Sequence, residues 1–175
     1  MEAFGVVTEP RTVRLERILP GPIERVWSYL TESEKRGKWL MAGEWELRVG
    51  GRVTMTVNNE SLSADKETPE RYKSSHGHKV EGQITRIEPP RLLAFVWNMS
   101  GGPSEVTFEL TPKGNDVLFV VTHRRLPSRD VMVNVSTGWH THVGILIDIL
   151  NNAEPRPFWK TFVGLEPEYQ KRIAP

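Results

Sequence analysis

The 175-residue sequence contains no cysteine, which removes disulfides, thiolate nucleophiles and every zinc site that uses Cys. It has no excess of either charge. Lys and Arg number 23 against 22 Asp and Glu, a formal net charge of +1, and with no long basic run neither nucleic acid nor an anionic membrane is an expected partner. It also lacks a long apolar run: GILIDIL (144–150) is interrupted by Asp148 and falls far short of the ~20 residues of a membrane span, so no membrane insertion is expected. The N-terminal stretch MEAFGVVTEPRTVRLERILPG has no basic cap followed by an apolar segment of signal-peptide length, and a soluble, cytoplasmic protein is expected. Gly50-Gly51 and Gly101-Gly102 lack the GxGxxG and P-loop patterns that cradle phosphate, and no serine lies in a GxSxG elbow. No cofactor and no catalytic residue is assigned.

The apolar residues recur at two periods. RTVRLERIL (11–19) alternates, with Val13, Leu15 and Arg17 on one side, as a half-buried first strand does. After Pro20-Gly21-Pro22, the spacing of Ile23, Val26, Trp27 and Leu30 predicts a short amphipathic helix. Thr31 and Glu34 have capping-box spacing, predicting a second short helix through SEKRGKWL, weakened by Gly37. EWELRV and RVTMTV alternate around Gly50-Gly51 as a hairpin, setting Trp45, Leu47, Val49, Val53, Met55 and Val57 on the inward side and Glu44 and Glu46 in water. Residues 58–77 are rich in turn formers and form a long loop, a length at which loops are mobile or functional. Four further runs, HKVEGQITRIE, RLLAFVW, SEVTFELT and DVLFVVTHR, are separated by short turn sequences. Seven strands in an antiparallel arrangement with two small helices are expected, an α+β fold in one domain, 1–175.

A last helix starts between Ser128 and Thr137 and runs to about Asn152. At about 100° per residue, Trp139, His142, Val143, Ile145, Leu146, Ile147, Ile149 and Leu150 form one wide arc, with Thr141, Gly144 and Asp148 opposite and His140 at the border. Such an arc implies burial against a concave surface. Pro155 and Pro157 end the helix, and the apolar tail RPFWKTFVGL must dock somewhere.

The histidines are the residues whose chemistry bears most directly on function. His140 and His142 are rotated roughly 200° apart and cannot hold one ion together, unlike i, i+4 histidines. His142 is either a hydrogen-bonded core residue or the polar group of a cavity. His76 and His78 flank Gly77 without a third ligand, and His123 stands alone; no metal site is assigned.

The pieces ERVWSYLTESEKRGKW, LRVGGRV, VEGQITRIEPPRLLAFVW and EVTFELTPKGNDVLFVVTHRRLP, with GW opening the final helix, together resemble the activators of the heat-shock protein 90 ATPase and their small bacterial homologues. That family lies within the START-like, or SRPBCC, superfamily, and the resemblance covers residues 12–152, leaving 153–175 as a C-terminal extension. It implies a helix-grip (Bet v 1-like) fold, a curved seven-stranded antiparallel sheet around a long C-terminal helix with a cavity between them. It also implies an apolar cargo of lipid or polyketide-like kind. The eukaryotic activators add an N-terminal chaperone-binding domain for which 175 residues leave no space, so a chaperone partner is not the leading expectation. The 58–77 loop and the 153–175 tail exceed the family pattern and are placed to reshape the cavity mouth.

The first expectation is therefore a container for a small apolar molecule. Trp139, His142, Val143 and Leu146 would form its helix wall, Trp45, Met55, Ile84, Phe95, Trp97 and Phe108 its sheet wall, and Trp27 and Trp39 would sit near the mouth. Two other readings stay open. One is an interaction module, as chaperone cofactor or homodimer, with Phe158, Trp159 and Phe162 exposed and no cavity. The other is a cyclase or isomerase using His142 or His123 as general base.

Overall fold

A computed structural model describes residues 2–175. Seven antiparallel strands form one sheet in the order β1-β2-β7-β6-β5-β4-β3: β1 (Val6–Glu9), β2 (Thr12–Pro20), β3 (Arg52–Thr56), β4 (Lys79–Glu88), β5 (Leu92–Met99), β6 (Gly102–Lys113) and β7 (Asp116–Arg124). Helices α1 (Ile23–Thr31) and α2 (Ser33–Arg36) follow β2, and α3 (Arg129–Leu150) and α4 (Phe158–Arg172) follow the sheet. The sheet curves around α3, giving the seven-stranded α+β architecture that the periodicities predict. Alternation sets the inner face: on β6, Val106, Phe108 and Leu110 are buried while Glu109 is exposed, and on β5, Leu93 and Phe95 are buried.

One strand is not where the sequence places it. Residues 44–49 make a single bridge, Trp45 to Val53, because the chain folds back on itself there: Arg48 N–H donates to the Glu46 carbonyl and Gly51 N–H to the Arg48 carbonyl, each at 2.8 Å. Leu47 and Val49, expected to alternate inward, are 47% and 64% exposed. The seventh strand is β1, which adds to β2 at the far edge. The second helix is also shorter than expected. Thr31 Oγ donates to the Trp27 carbonyl inside α1, so its hydroxyl does not cap α2.

Arg36, which ends α2, is fully buried without a carboxylate. Its guanidinium donates to the carbonyls of Leu30, Thr31, Met41 and Gly43 and lies 4.1 Å from the centre of the Trp45 ring. Burial pushes its pKa down to about 10, still charged at neutral pH. Beyond it, Phe108 packs on Phe119, Phe95 and Trp39 at centroid distances of 5.5, 5.7 and 6.3 Å. This aromatic slab fills the middle of the concave face.

Helix α3 begins at Ser128, whose Oγ accepts the Val131 N–H at 3.2 Å, so Gly138-Trp139 lies inside the helix and not at its start. The face carrying Thr141 and Gly144 is buried as well, because the C-terminal extension folds back as α4. Pro157 gives α4 no side-chain cap. The 58–77 loop supplies it: Ser63 Oγ accepts the Phe158 N–H at 3.0 Å and Asp65 Oδ2 accepts the Lys160 N–H at 3.1 Å. From the same loop, Tyr72 stacks on Trp159 at 5.1 Å and donates to Glu166 at 2.9 Å, and Arg71 pairs with the same carboxylate. Loop and tail thus form one unit. Replacing Ser63 or Asp65 by alanine removes a helix cap and is expected to lower stability by about 1 kcal/mol each, with the pair less than additive since both hold one helix end. Urea unfolding of the two single variants and the double variant measures this.

Candidate functional site

A cavity of about 260 Å³, partly open to solvent, lies at the end of the sheet where β3, β5 and β7 finish and α3 begins. Five segments build it. Leu40 and Met41 come from the stretch held by Arg36; Val57, Asn59, Tyr72 and Ser75 from the end of β3 and the loop; Trp97, Met99 and His123 from the sheet. Helix α3 adds Asn134, Val135, Gly138, Trp139 and His142, and α4 adds Phe158, Trp159 and Phe162. No Asp, Glu, Lys or Arg lines it. Gly138 leaves the space unfilled on the helix side, since a Cβ placed there meets no atom within 4 Å.

The polar groups at the wall have defined roles. Trp139 Nε1–H donates to His123 Nδ1 at 3.2 Å, which puts the His123 proton on Nε2. That nitrogen donates to Ser104 Oγ at 2.8 Å, and Ser104 donates to the Trp97 carbonyl at 2.8 Å. Both ring nitrogens are thus engaged, so His123 has no free lone pair for chemistry. His142 is different. Its Nδ1 lies 2.7 Å from the Trp39 carbonyl, an acceptor only, so the proton sits on Nδ1 and Nε2 keeps its lone pair. Trp159, also in the wall, has an indole N–H with no hydrogen-bond partner among the described residues, as does the Asn59 side-chain carbonyl.

Of the residues expected to contact a ligand, Trp97, Trp139 and His142 line this cavity. Met55, Ile84, Phe95, Phe108, Val143 and Leu146 are buried in the core instead, because the aromatic slab closes the sheet below the cavity. Trp39 belongs to that slab, although its carbonyl orients His142. Trp45 packs against Phe95 at 4.7 Å. Trp27, on α1, is partly buried against the core at the opposite end from the cavity. His140 turns away from His142, as the helical rotation requires: its Nδ1 is 2.9 Å from the Tyr169 hydroxyl and its Nε2 3.4 Å from Glu2. Phe158, Trp159 and Phe162 are buried, so they form no exposed apolar patch. His76 and His78 are exposed, and among the described residues no group of three His, Asp or Glu is placed to hold a metal ion.

Leu40, Met41, Val57, Asn59, Tyr72, Ser75, Met99, Asn134, Val135, Gly138 and the α4 aromatics also line the wall, and no motif in the sequence marks them as wall residues. The signal was partial: RPFWKTFVGL showed that the tail docks, and nothing local showed where.

The profile of the family described as activator of Hsp90 ATPase homolog 1-like protein matches residues 20–151. Among solved structures, a Bordetella parapertussis protein determined by NMR in solution is 37% identical, with a TM-score of 0.83 over 99% of this chain and 92% of its own. CalU16 of Micromonospora echinospora is 21% identical, TM-score 0.71, covering 100% of this chain and 98% of its own. DynU16, from the dynemicin biosynthetic locus, is 20% identical, TM-score 0.61, covering 83% of this chain and 49% of its own; at these identities the last two share the fold. No curated protein matches the chain. Among the described residues, no helix is long and apolar enough to cross a membrane.

Burial sets the protonation of the wall. Desolvation lowers His123 to about 3; it lowers His142 to about 4 against the opposing hydrogen bond to the Trp39 carbonyl. Both are neutral in the folded protein at pH 7, whereas the unfolded chain takes up their protons below about pH 6.5. Stability is therefore complete above pH 6.5 and falls as the pH drops toward the folded values, by about 2 kcal/mol per histidine between pH 7 and 5. Glu2, held at about 2 by its hydrogen bond to His140 and by Arg156, loses its contribution only as the pH falls below about 4.5, outside that window. His142→Asn is expected to remove about half of the fall attributed to the two buried rings. Urea midpoints at pH 7 and pH 5 for wild type and variant check it, and equal falls would count against a buried neutral His142.

Proposed function

The chain belongs to the activator of Hsp90 ATPase homolog 1-like family, and on that premise we propose that it binds one small, mainly apolar molecule in the cavity between sheet and α3. No reaction is assigned to it. The observation that carries this reading is the cavity itself: about 260 Å³, room for roughly nine waters at ~30 Å³ each, with walls mostly of Trp, Tyr, Phe, Met, Leu and Val beside Asn59, Ser75, Asn134 and two histidines, and no charged side chain. Water in such a space finds few partners. An apolar guest gains roughly 25 cal/mol per Å² of surface removed from water. The small volume restricts the lipid or polyketide-like cargo implied by the superfamily to a compact one, and the neutral Trp and His groups set its orientation.

Gly138 makes the reading testable without damaging the core. Gly138→Leu places a side chain in the empty space and replaces a mid-helix glycine. It is expected to raise stability by about 0.8 kcal/mol, a rise in Tm of roughly 2–3 °C. Native mass spectrometry of the protein purified from its own cells is expected to show a retained small molecule on the wild type and none on the variant. A wild type that is always empty, or a leucine variant that keeps the same adduct, counts against the cavity as the binding site.

A further inference from the structure

One part of the cavity wall is attached to the protein differently from the rest. Resting on the reading that this cavity binds a ligand, we propose that residues 66–77 are its gate: Tyr72 closes the cavity against α4, Glu166 latches it, and guests enter and leave when that latch opens.

The attachments carry this. Trp97 and His123 stand in strands paired on both sides, and Gly138 and Trp139 lie inside the 22-residue α3, so moving those walls breaks many backbone hydrogen bonds at once. The loop is held otherwise. Its backbone bonds close on itself and its own base, as in Tyr72 N–H to the Pro69 carbonyl, His76 N–H to the Lys73 carbonyl and Gly77 N–H to the Val57 carbonyl. The first half is fixed all the same, because Leu62 is buried in the core and Ser63 and Asp65 cap α4. The second half meets α4 through two side chains. The Tyr72 ring lies 5.1 Å from that of Trp159 and 5.2 Å from that of Phe162, and its hydroxyl donates to Glu166 Oε1 at 2.9 Å. Arg71 pairs with the other oxygen of the same carboxylate while its guanidinium lies 4.8 Å from the centre of the Tyr72 ring. One carboxylate, 12% exposed, therefore holds both residues, and releasing it breaks no sheet ladder or helix. There is also space for the ring to move: Tyr72, Ser75 and Trp159 line a second void of about 10 Å³ as well as the cavity, so Tyr72 is not locked in close packing on all sides. Trp159, Phe162 and Glu166 lie beyond the family match, which ends at residue 151, so the latch belongs to the extension.

A latch closed in both the empty and the occupied protein opposes entry and exit equally, so weakening it speeds both and leaves Kd unchanged. The test uses the full-length protein and N-phenyl-1-naphthylamine, an uncharged probe that fluoresces in apolar surroundings, with association and dissociation followed by stopped flow. Tyr72→Phe keeps the ring and removes the hydroxyl bond to the carboxylate. Both rate constants should rise about tenfold while Kd stays within about twofold. The absence of cysteine allows the opposite change: Arg71→Cys with Glu166→Cys, joined by a short bismaleimide, should slow both rates about tenfold relative to the same variant unlinked. A rise in dissociation alone makes Tyr72 a contact of the guest and overturns the gate. Unchanged rates in Tyr72→Phe, or a linked protein that exchanges as fast as the unlinked one, overturn it too, and in each of these cases the cavity remains a binding site. A wild type that binds no probe overturns the cavity reading and this inference with it.

Discussion

The guanidinium of Arg36 sits in the core with only backbone carbonyls and one indole ring to satisfy it. A buried cation in this position has to be surrounded on all sides, since each unmet N–H would add its desolvation cost to that of the charge. The chain complies by wrapping the end of α1 and residues 41–43 around it. That wrap fixes the path of the intervening residues: Trp39 is driven into the aromatic slab, Leu40 and Met41 reach the cavity wall, and the Trp39 carbonyl is left facing His142. At Gly43 the backbone adopts φ 154°, and a Cβ would fall 1.8 Å from the Thr54 carbonyl oxygen, so the wrap closes tightly onto β3. The tautomer of a histidine on α3 is in this way set by an arginine on α2.

The second dependence is between the 58–77 loop and the C-terminal helix α4. A helix whose N-cap is proline leaves its first N–H groups without partners, and α4 would fray if it were not met by Ser63 and Asp65. The loop gains in turn, because Tyr72 has a ring to stack on and Glu166 to bond. Local turns such as Ser61 N–H to the Asn58 carbonyl and Tyr72 N–H to the Pro69 carbonyl shape the loop, and its contacts with α4 fix where it lies. Each supplies what the other lacks, and together they wall the cavity on the side away from the sheet. The core below is filled by the Phe95, Phe108, Phe119 and Trp39 rings, so this cavity lies above them, beside Gly138.

This distribution explains which features the sequence revealed. Alternation on β6 reports directly which side faces the interior, whereas the apolar arc of α3 is buried together with the face opposite it, which α4 covers. Edge pairing is harder: EWELRV has good alternation but turns back through Gly50-Gly51, whereas VVTE, with both valines mostly exposed, is a strand only because β2 offers it an edge. Arg17 lies on the inner face of β2 and is 7% exposed, where period alone placed it. A cavity is legible least of all. Phe95 and Trp97 share one face of β5, and alternation treats them alike, yet one is sealed in the slab and the other borders the void. The difference is depth along the strand relative to side chains on α3, α4 and the loop, which only the packed structure defines.

The same burial that shapes the cavity constrains the chemistry available in it. A general base works best with a pKa near the operating pH. His123 has no free lone pair, its Nδ1 already accepting from Trp139 and its Nε2 proton donated to Ser104. His142 offers Nε2, but desolvation holds it near 4, which makes it a weak proton acceptor while leaving it a good hydrogen-bond acceptor. Raising its basicity would require a carboxylate or an opening to water, and the wall supplies no carboxylate. A ring in this setting accepts a hydrogen bond far more readily than it takes up a proton at neutral pH, so the burial that shapes the wall also keeps its histidines neutral.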